Sequence, residues 1–150
     1  MTIGEFWLEF LQKTGKDPKI PYLESFHFDL NEKSANELLE LVLAGKKRAT
    51  ASSLLAYEKE NCRVPQVGDF SIVTDWDNNP RCVIETTAVT IYKFKEITFD
   101  ICKREGEDEC LETWQRGHAG YFTQDGKALG YEFSEDMPVV FEDFEVVYSK

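Results

Sequence analysis

The chain has 150 residues, of which 42% are hydrophobic and 13% aromatic, and its formal net charge is −11. A chain of this length and apolar content can bury the core of a single domain, which excludes an intrinsically disordered protein. The negative charge argues against tight, non-specific binding of long DNA or RNA, because phosphate backbones are repelled at long range.

The four cysteines favour a reducing compartment. They lie 20, 20 and 8 residues apart, with no CxxC motif and no paired histidine spacing, so neither a zinc site nor any other metal or cofactor is expected. The N-terminus lacks the pattern of a signal peptide, and no apolar run reaches the roughly 20 residues of a membrane span. We therefore expect a cytoplasmic protein with free thiols and no membrane partner.

The first half of the chain predicts two helices. Four large apolar residues recur at helical spacing near the N-terminus, and Gly15 follows them as a C-terminal cap: Phe6, Trp7, Phe10 and Leu11. The segment from Asn31 to Gly45 predicts the second helix, with a polar N-cap and a glycine just past its end. The apolar stretch over residues 52–57 fits either a helix or a strand.

The second half predicts a hairpin, two more helical segments and a terminal strand. β-branched residues flank a turn over residues 77–80, and residues 96–105 and 108–122 are helical in pattern around Gly106. Phe144, Val146 and Tyr148 alternate with other residues as in a strand. This order predicts an α+β or small mixed-barrel domain and no dinucleotide-binding fold.

A run of three cations, Lys46, Lys47 and Arg48, is the first candidate for chemistry in this acidic chain. The charges could simply complement the negative end of the preceding helix dipole. Alternatively, Lys47 and Thr50 form an acid/base pair, in which the lysine acts as a base or stabilises an oxyanion. Because the two are three residues apart, a bend between them is required to bring their side chains to one face.

An acidic segment over residues 105–109 is the second candidate. Its carboxylates could complement a helix N-terminus, with Asp108 as the cap, and Glu105 or Glu107 could instead turn inward to meet the lysine. His118 follows as a secondary candidate. One or two members of an aromatic set could stack on a nucleobase, and the set comprises Tyr57, Trp76, Tyr92, Trp114, Tyr121 and Phe122.

Several motifs together resemble the ASCH domain family (activating signal cointegrator homology). They are LAGKKRATAS at residues 43–52, PQVGD at 65–69, ETT at 85–87 and EGED at 105–108, followed by Leu111, Trp114 and His118. The resemblance implies an N-terminal helix and linker over residues 1–24 and an ASCH domain over residues 25–150. It also implies a small PUA-like mixed β-barrel flanked by helices.

The resemblance further implies a cleft for RNA or modified-nucleoside ligands. Small bacterial members include an amidohydrolase acting on an N4-acylated cytidine, and others are reported as ribonucleases. The family's G-x-K-x-x-T signature assigns the catalytic pair to Lys47 and Thr50, and the site glutamate to Glu107, with Glu105 as the alternative. The residues then expected to bind the ligand are Lys46, Arg48, Ser52, Glu105, Trp114 and His118.

The leading hypothesis is a hydrolase or binder of a modified nucleoside, nucleotide or short RNA. Lys47 would activate or orient Thr50 while Glu107 holds Lys47, and Lys47→Ala is expected to abolish turnover with the fold intact. The alternatives are a non-catalytic RNA-binding module and a ribonuclease, the latter using clustered carboxylates to hold a metal. Because the acidity concentrates near the C-terminus, the basic run is expected to be a local positive spot.

Overall fold

A computed structural model describes residues 1–150. Its helices and strands, in chain order, are α1 (Ile3–Lys13), β1 (Ser25–Phe26), α2 (Glu32–Leu43), β2 (Ala49–Ser53), α3 (Leu54–Lys59), β3 (Phe70–Thr74), β4 (Pro80–Lys93), α4 (Phe99–Cys102), α5 (Leu111–Leu129) and β5 (Pro138–Ser149). Two single turns of 3-10 helix cover Phe94–Glu96 and Lys103–Glu105. The expected α+β class with an N-terminal helix is confirmed.

The five strands form one sheet in the order β1-β3-β4-β5-β2. β1 pairs with β3 in parallel, and the other three pairings are antiparallel. The pairing leaves β1 and β2 as the two edges of an open sheet. In the register of β2 with β5, Thr50 lies directly opposite Glu142.

Local sequence signals explain the two N-terminal helices. Thr2 and Glu5 form a reciprocal capping box at the start of α1. The Asn31 side chain accepts a hydrogen bond from the Ser34 N–H at the start of α2. After α2, the backbone N–H groups of Lys46 and Lys47 both donate to the Leu41 carbonyl oxygen, which turns the chain toward β2.

The structure corrects two details of the sequence interpretation. The ambiguous stretch over residues 52–57 is divided, because β2 ends at Ser53 and the Ser53 side chain then caps α3. Asp108 is not a helix cap, since α5 begins after Cys110 and has no side-chain cap. Asp108 instead lines a cleft.

Three apolar clusters stabilise the sheet. The largest packs α5 against β2 and β5, through Trp114, Phe122 and Phe141 among others. A second joins α2 to the middle of the sheet, and a third packs the apolar face of α1 against Ile72 and Val83. Because α1 packs on β3 and β4, the N-terminal helix forms part of the folded body.

Candidate active-site cleft

One large cleft, with a volume of about 600 Å³, lies between the β1–α2 region, α3 and α5. Strands β2 and β5 contribute Thr50, Ser52 and Glu142 to its lining, and the acidic segment before α5 contributes Glu105 and Glu107. A volume in the range of about 300–1,000 Å³ is typical of small-molecule sites. The cleft is therefore the right size for a ligand such as a nucleoside.

Lys47 is the centre of a buried polar cluster in this cleft. Its side chain is only 1% exposed, and Nζ lies 3.2 Å from Glu105 Oε1 and 2.7 Å from Glu107 Oε2. The third hydrogen of the ammonium goes to the Ala49 carbonyl oxygen, 2.9 Å away. His118 Nε2 completes the cluster, at 3.1 Å from Glu105 Oε2. We name Lys47, Glu105, Glu107 and His118 the lysine cluster.

Gly106 allows two successive glutamates to reach the same ammonium. It has a left-handed backbone conformation, with φ of +70°, between Glu105 and Glu107. A Cβ atom at this position would collide with the Lys46 carbonyl oxygen. The sequence Glu-Gly-Glu therefore lets the chain pass close to the turn that carries Lys47.

Gly106→Ala is expected to cost about 2 kcal/mol or more of unfolding free energy, because the left-handed strain adds to the collision with Lys46. Chemical denaturation measures the cost. Gly130→Ala is the matched control, since Gly130 has a φ of +94° but open space around its Cα. Equal losses in the two variants would contradict a role for the close approach.

Proton affinities in the lysine cluster follow from burial and ion pairing. Burial lowers the pKa of Lys47, but the charges of Glu105 and Glu107 outweigh it and hold the pKa above its ordinary value. Burial raises the pKa of Glu105, yet Lys47 and His118 bring it well below its usual range. For Glu107, burial and the neighbouring Glu105 raise the pKa. Lys47 is consequently a fixed ammonium at neutral pH.

Trp114 supports the cluster from behind. It is fully buried, its Nε1 donates to Glu105 Oε2, and its ring stacks on His118 with centroids 4.2 Å apart. The His118 ring is held at its other nitrogen by the Trp114 carbonyl oxygen, 3.0 Å from Nδ1. Burial opposes protonation of His118, but Glu105 reverses this and raises its pKa. Trp114 thus positions Glu105 and His118 and does not itself line the cleft.

Thr50 lies on β2, next to the residue whose carbonyl oxygen accepts from the Lys47 ammonium. The bend that its spacing from Lys47 requires is present, because β2 begins only at Ala49. The Lys47 ammonium donates to the carbonyl oxygen of Ala49, which forms the peptide bond to Thr50. Thr50 is half-buried and lines the cleft. The side-chain hydrogen bonds around it join Lys47 to Ala49 and Leu55 to Ser53, and neither uses the Thr50 hydroxyl.

Glu142 is a buried acid that the sequence analysis missed. It is 8% exposed, and its Oε2 accepts a hydrogen bond of 2.6 Å from the Thr86 hydroxyl. Burial raises the pKa of Glu142 to about 7, although the Thr86 hydrogen bond lowers it in part. The available signal was an acid at an alternating position on β5, which places it on the face opposite to Phe141.

Glu142 is expected to make stability depend on pH. Its pKa rises from 4.5 to about 7 on folding, so its protonation stabilises the fold below pH 4.5 and this contribution is lost as pH rises through 7. Glu142→Gln should therefore be more stable than the wild type at pH 8, by up to about 3 kcal/mol, and similar at pH 4.5. Urea denaturation at both pH values tests this, and a difference that is the same at both would contradict it.

The other two cations of the basic run lie elsewhere. Lys46 and Arg48 are exposed and do not line the cleft, because the turn directs only Lys47 inward. Arg48 instead borders a smaller cavity with Phe144 and Glu145. The basic run therefore contributes only Lys47 to the cleft. The one lysine of the cleft is neutralised, and the lining includes nine carboxyl groups: Glu24, Asp29, Glu37, Glu60, Glu105, Glu107, Asp108, Asp125 and Glu142.

The ligand atoms of Glu105, Glu107 and His118 lie within 4.8 Å of one another, which is close enough for them to hold one cation. Two of these groups already bind the Lys47 ammonium, and Glu105 also accepts from Trp114. The ammonium therefore supplies the positive charge that these carboxylates require.

Two aromatic residues of the sequence-predicted set face the ligand space. Tyr57 on α3 and Tyr121 on α5 line the cleft, whereas Trp76, Tyr92 and Phe122 do not. Burial raises the pKa of Tyr57 to about 12 and raises that of Tyr121 as well, so both hydroxyls stay protonated. Their rings offer flat apolar surface with a hydrogen-bonding edge.

Comparison with known proteins gives consistent family matches. A family model described as ASCH domain matches residues 24–148. A crystal structure of an ASCH domain from Lactobacillus crispatus is 35% identical, with a TM-score of 0.87, and the alignment covers 97% of this chain and 94% of that one. A protein from Enterococcus faecalis is 32% identical, with a TM-score of 0.88 and coverage of 97% and 87%.

More distant similarity extends only to the fold. A mutant ASCH protein from Zymomonas mobilis is 12% identical, with a TM-score of 0.53 over 87% of this chain and 76% of that one. The comparison with curated proteins finds no match. None of the helices has the length and apolar character required to cross a membrane.

Proposed function

The chain belongs to the ASCH domain family, which has a PUA-like RNA-binding fold, and we propose that its cleft hydrolyses an amide bond on a small, unphosphorylated nucleoside or nucleobase. The observation that carries this proposal is the presence of Lys47, Thr50 and Glu107 in one cleft. In one cleft, a hydroxyl and an ammonium can supply the nucleophile and the oxyanion-stabilising charge of acyl transfer.

In the proposed reaction, Thr50 is the nucleophile and Lys47 stabilises negative charge on the carbonyl oxygen. Lys47 is unsuited to be the base, because its raised pKa keeps it protonated and its three hydrogens are all donated. Glu107 is the more exposed of its two carboxyl partners, at 20% against 2% for Glu105. A substrate carbonyl oxygen would therefore replace Glu107 at the ammonium, while Glu105 keeps the lysine in place.

The charge of the cleft favours an uncharged ligand. Nine carboxyl groups and one paired lysine would repel a phosphate, whether on a nucleotide or on RNA. Tyr57 and Tyr121 offer rings on which a base could stack, and Ser52, Glu105 and His118 offer polar contacts within the cleft. These features support a nucleoside over the nucleotide and short-RNA alternatives.

The test compares acylated substrates that differ only in phosphate. Purified protein is incubated with N4-acetylcytidine, its 5′-monophosphate and a short RNA that contains it, and the products are separated by liquid chromatography. We expect the nucleoside to be hydrolysed with a kcat/KM at least about 10-fold higher than that of the nucleotide, equally with and without EDTA. Hydrolysis of none of the three would refute the proposal, and loss of activity in EDTA would favour a metal-dependent reaction.

A non-catalytic RNA-binding module is the second candidate, favoured by the exposure of Lys46 and Arg48. In that case binding of a short RNA should weaken with salt at a slope that corresponds to two or three phosphate contacts. Lys46→Ala would reduce this slope. Cleavage of the RNA during the same measurement would instead indicate a ribonuclease.

We propose that residues 1–24 are an N-terminal helix and linker, packed against an ASCH domain over residues 25–150, and that the protein acts in the cytoplasm. All four cysteines are free thiols, as a reducing compartment would maintain them: Cys62, Cys82, Cys102 and Cys110.

A further inference from the structure

Glu142 lies across the sheet from the proposed nucleophile. Thr50 on β2 and Glu142 on β5 are direct partners in the antiparallel register, and both line the cleft. Side chains of such partners point to the same face, with Cβ atoms about 4.5–5.5 Å apart. The Glu142 carboxyl group and the Thr50 hydroxyl are therefore neighbours on one face of the sheet, both in the cleft.

Glu142 also has the surroundings of a proton acceptor. Its Oε2 is fixed by the Thr86 hydroxyl at 2.6 Å, and no cation pairs with it. The charged and titratable groups that act on it are acidic or phenolic: Glu24 from the segment before β1, Asp69 before β3, Asp143 on β5 and Tyr57 on α3. A carboxyl group in such surroundings holds a proton more firmly than an ion-paired one.

We infer that Glu142 is the general base and acid of the reaction, taking the proton of the Thr50 hydroxyl and returning it to the leaving nitrogen; this inference rests on the proposed amide hydrolysis. Lys47, held in place by Glu105, then has the separate task of stabilising negative charge on the carbonyl oxygen. Lys47 thus acts on the carbonyl oxygen, and Glu142 on β5 transfers the protons.

The chemistry balances in two halves. In the first, Glu142 removes the Thr50 proton, Thr50 Oγ bonds to the acyl carbon, and the carbonyl π electrons move to the oxygen beside Lys47. As they return, the C–N bond breaks and Glu142 gives its proton to the amine. In the second, Glu142 takes a proton from water, the hydroxide adds to the ester, and the C–O bond to Thr50 breaks as Glu142 reprotonates it. The net reaction consumes one water and yields a carboxylic acid and an amine.

The pKa of about 7 supports this role, because a base that titrates near the working pH serves in both directions. It also predicts the pH profile. The value of kcat/KM should rise with pH as Glu142 loses its proton near pH 7, and it should level off above that.

Glu142→Gln tests the inference against the matched control Glu145→Gln, an exposed acid on the same strand outside the cleft. We expect kcat/KM for N4-acetylcytidine at pH 8 to fall by about 100-fold or more in Glu142→Gln. The rise of kcat/KM near pH 7 should also disappear in this variant. Glu145→Gln should show no change in either. Glu107 and His118 remain in both variants. If kcat/KM of Glu142→Gln still rose with pH near pH 7, that rise would belong to Glu107 or His118, and the inference would be overturned.

Thr86→Val provides a second, independent readout. It removes the hydrogen bond that lowers the pKa of Glu142, so the rise of kcat/KM should move to higher pH. The plateau value of kcat/KM should stay within several-fold of that of the wild type. If the rise of kcat/KM in Thr86→Val stayed at the wild-type pH, the inference would be overturned, even if Glu142→Gln did not fold. An active wild type whose rate is insensitive to Glu142→Gln refutes only the role of Glu142, whereas an inactive wild type refutes the proposed function itself.

Discussion

Replacing Lys47 with methionine is expected to destabilise the protein by about 3–5 kcal/mol at pH 7. The Lys47 side chain is 1% exposed and is paired with that of Glu105, which is 2% exposed. Methionine fills similar space but leaves Glu105 buried without its main counter-charge, and Trp114 and His118 alone must hold it. Urea denaturation measures the loss, with Lys46→Met as the exposed control, for which a change within about 0.5 kcal/mol is expected.

The loss in Lys47→Met should shrink as pH falls. In the wild type the pKa of Glu105 is depressed, so its contribution is present above its unfolded value of 4.5 and is lost as pH falls through the folded value. In the variant Glu105 can protonate at a milder pH, which removes the unpaired charge. A deficit that stays constant between pH 7 and pH 4.5 would contradict the ion-pair explanation.

This burial revises the expectation that Lys47→Ala abolishes turnover with the fold intact. An alanine at a fully buried position leaves both a cavity and an unpaired carboxylate, so lost activity would not distinguish catalysis from structure. The catalytic claim is better tested at Thr50, which is half-buried and has no partner to lose.

Thr50→Val is expected to reduce kcat/KM for the acylated nucleoside by about 10³-fold or more, since it removes the attacking oxygen. Its stability should remain within about 1 kcal/mol of the wild type, because valine has a similar shape and a high β propensity on strand β2. Steady-state kinetics give the first value and denaturation the second.

The control for Thr50→Val is Thr87→Val, an exposed threonine of β4 outside the cleft, which should retain full activity. A Thr50→Val enzyme that keeps more than about one tenth of the wild-type kcat/KM would exclude Thr50 as the nucleophile. A direct attack by water, oriented in the cleft, would then be the better mechanism.

Much of the fold follows from local sequence signals. Helices α1 and α2 have clear apolar periodicity together with caps at Thr2 and Asn31, so their positions could be predicted. Strand β1 has only two residues and α3 only six, too few for a periodic pattern. Helix α5 extends to Leu129, beyond its predicted end at residue 122. Its three internal glycines interrupt the apolar periodicity, so the sequence does not indicate its full length.

The lysine cluster was only partly accessible from sequence. The motifs single out Lys47 and the two glutamates, but a run of three cations gives no sign that its middle member is buried and the flanking ones are exposed. Gly106 is the local signal that explains how Glu105 and Glu107 reach one ammonium, since only a left-handed residue permits the close approach.

Glu142 could not be identified as a site residue because its position depends on a long-range pairing. It lies among many acids near the C-terminus, where an acidic side chain normally faces water. Glu142 reaches the cleft because β5 pairs with β2, and that pairing joins Glu142 to Thr50 across 92 positions of sequence. The sequence alone therefore gives no sign that acids, brought together by the fold, line most of the cleft.

The release of cytidine and acetate from N4-acetylcytidine by the purified protein, measured beside Thr50→Val, tests the central claim most directly. We predict equal amounts of the two products from the wild type, saturation with substrate, and release by Thr50→Val that is about 10³-fold slower. Release no faster than in buffer, or equal release by the two proteins, would contradict the assignment of this cleft as a threonine-dependent amidohydrolase site.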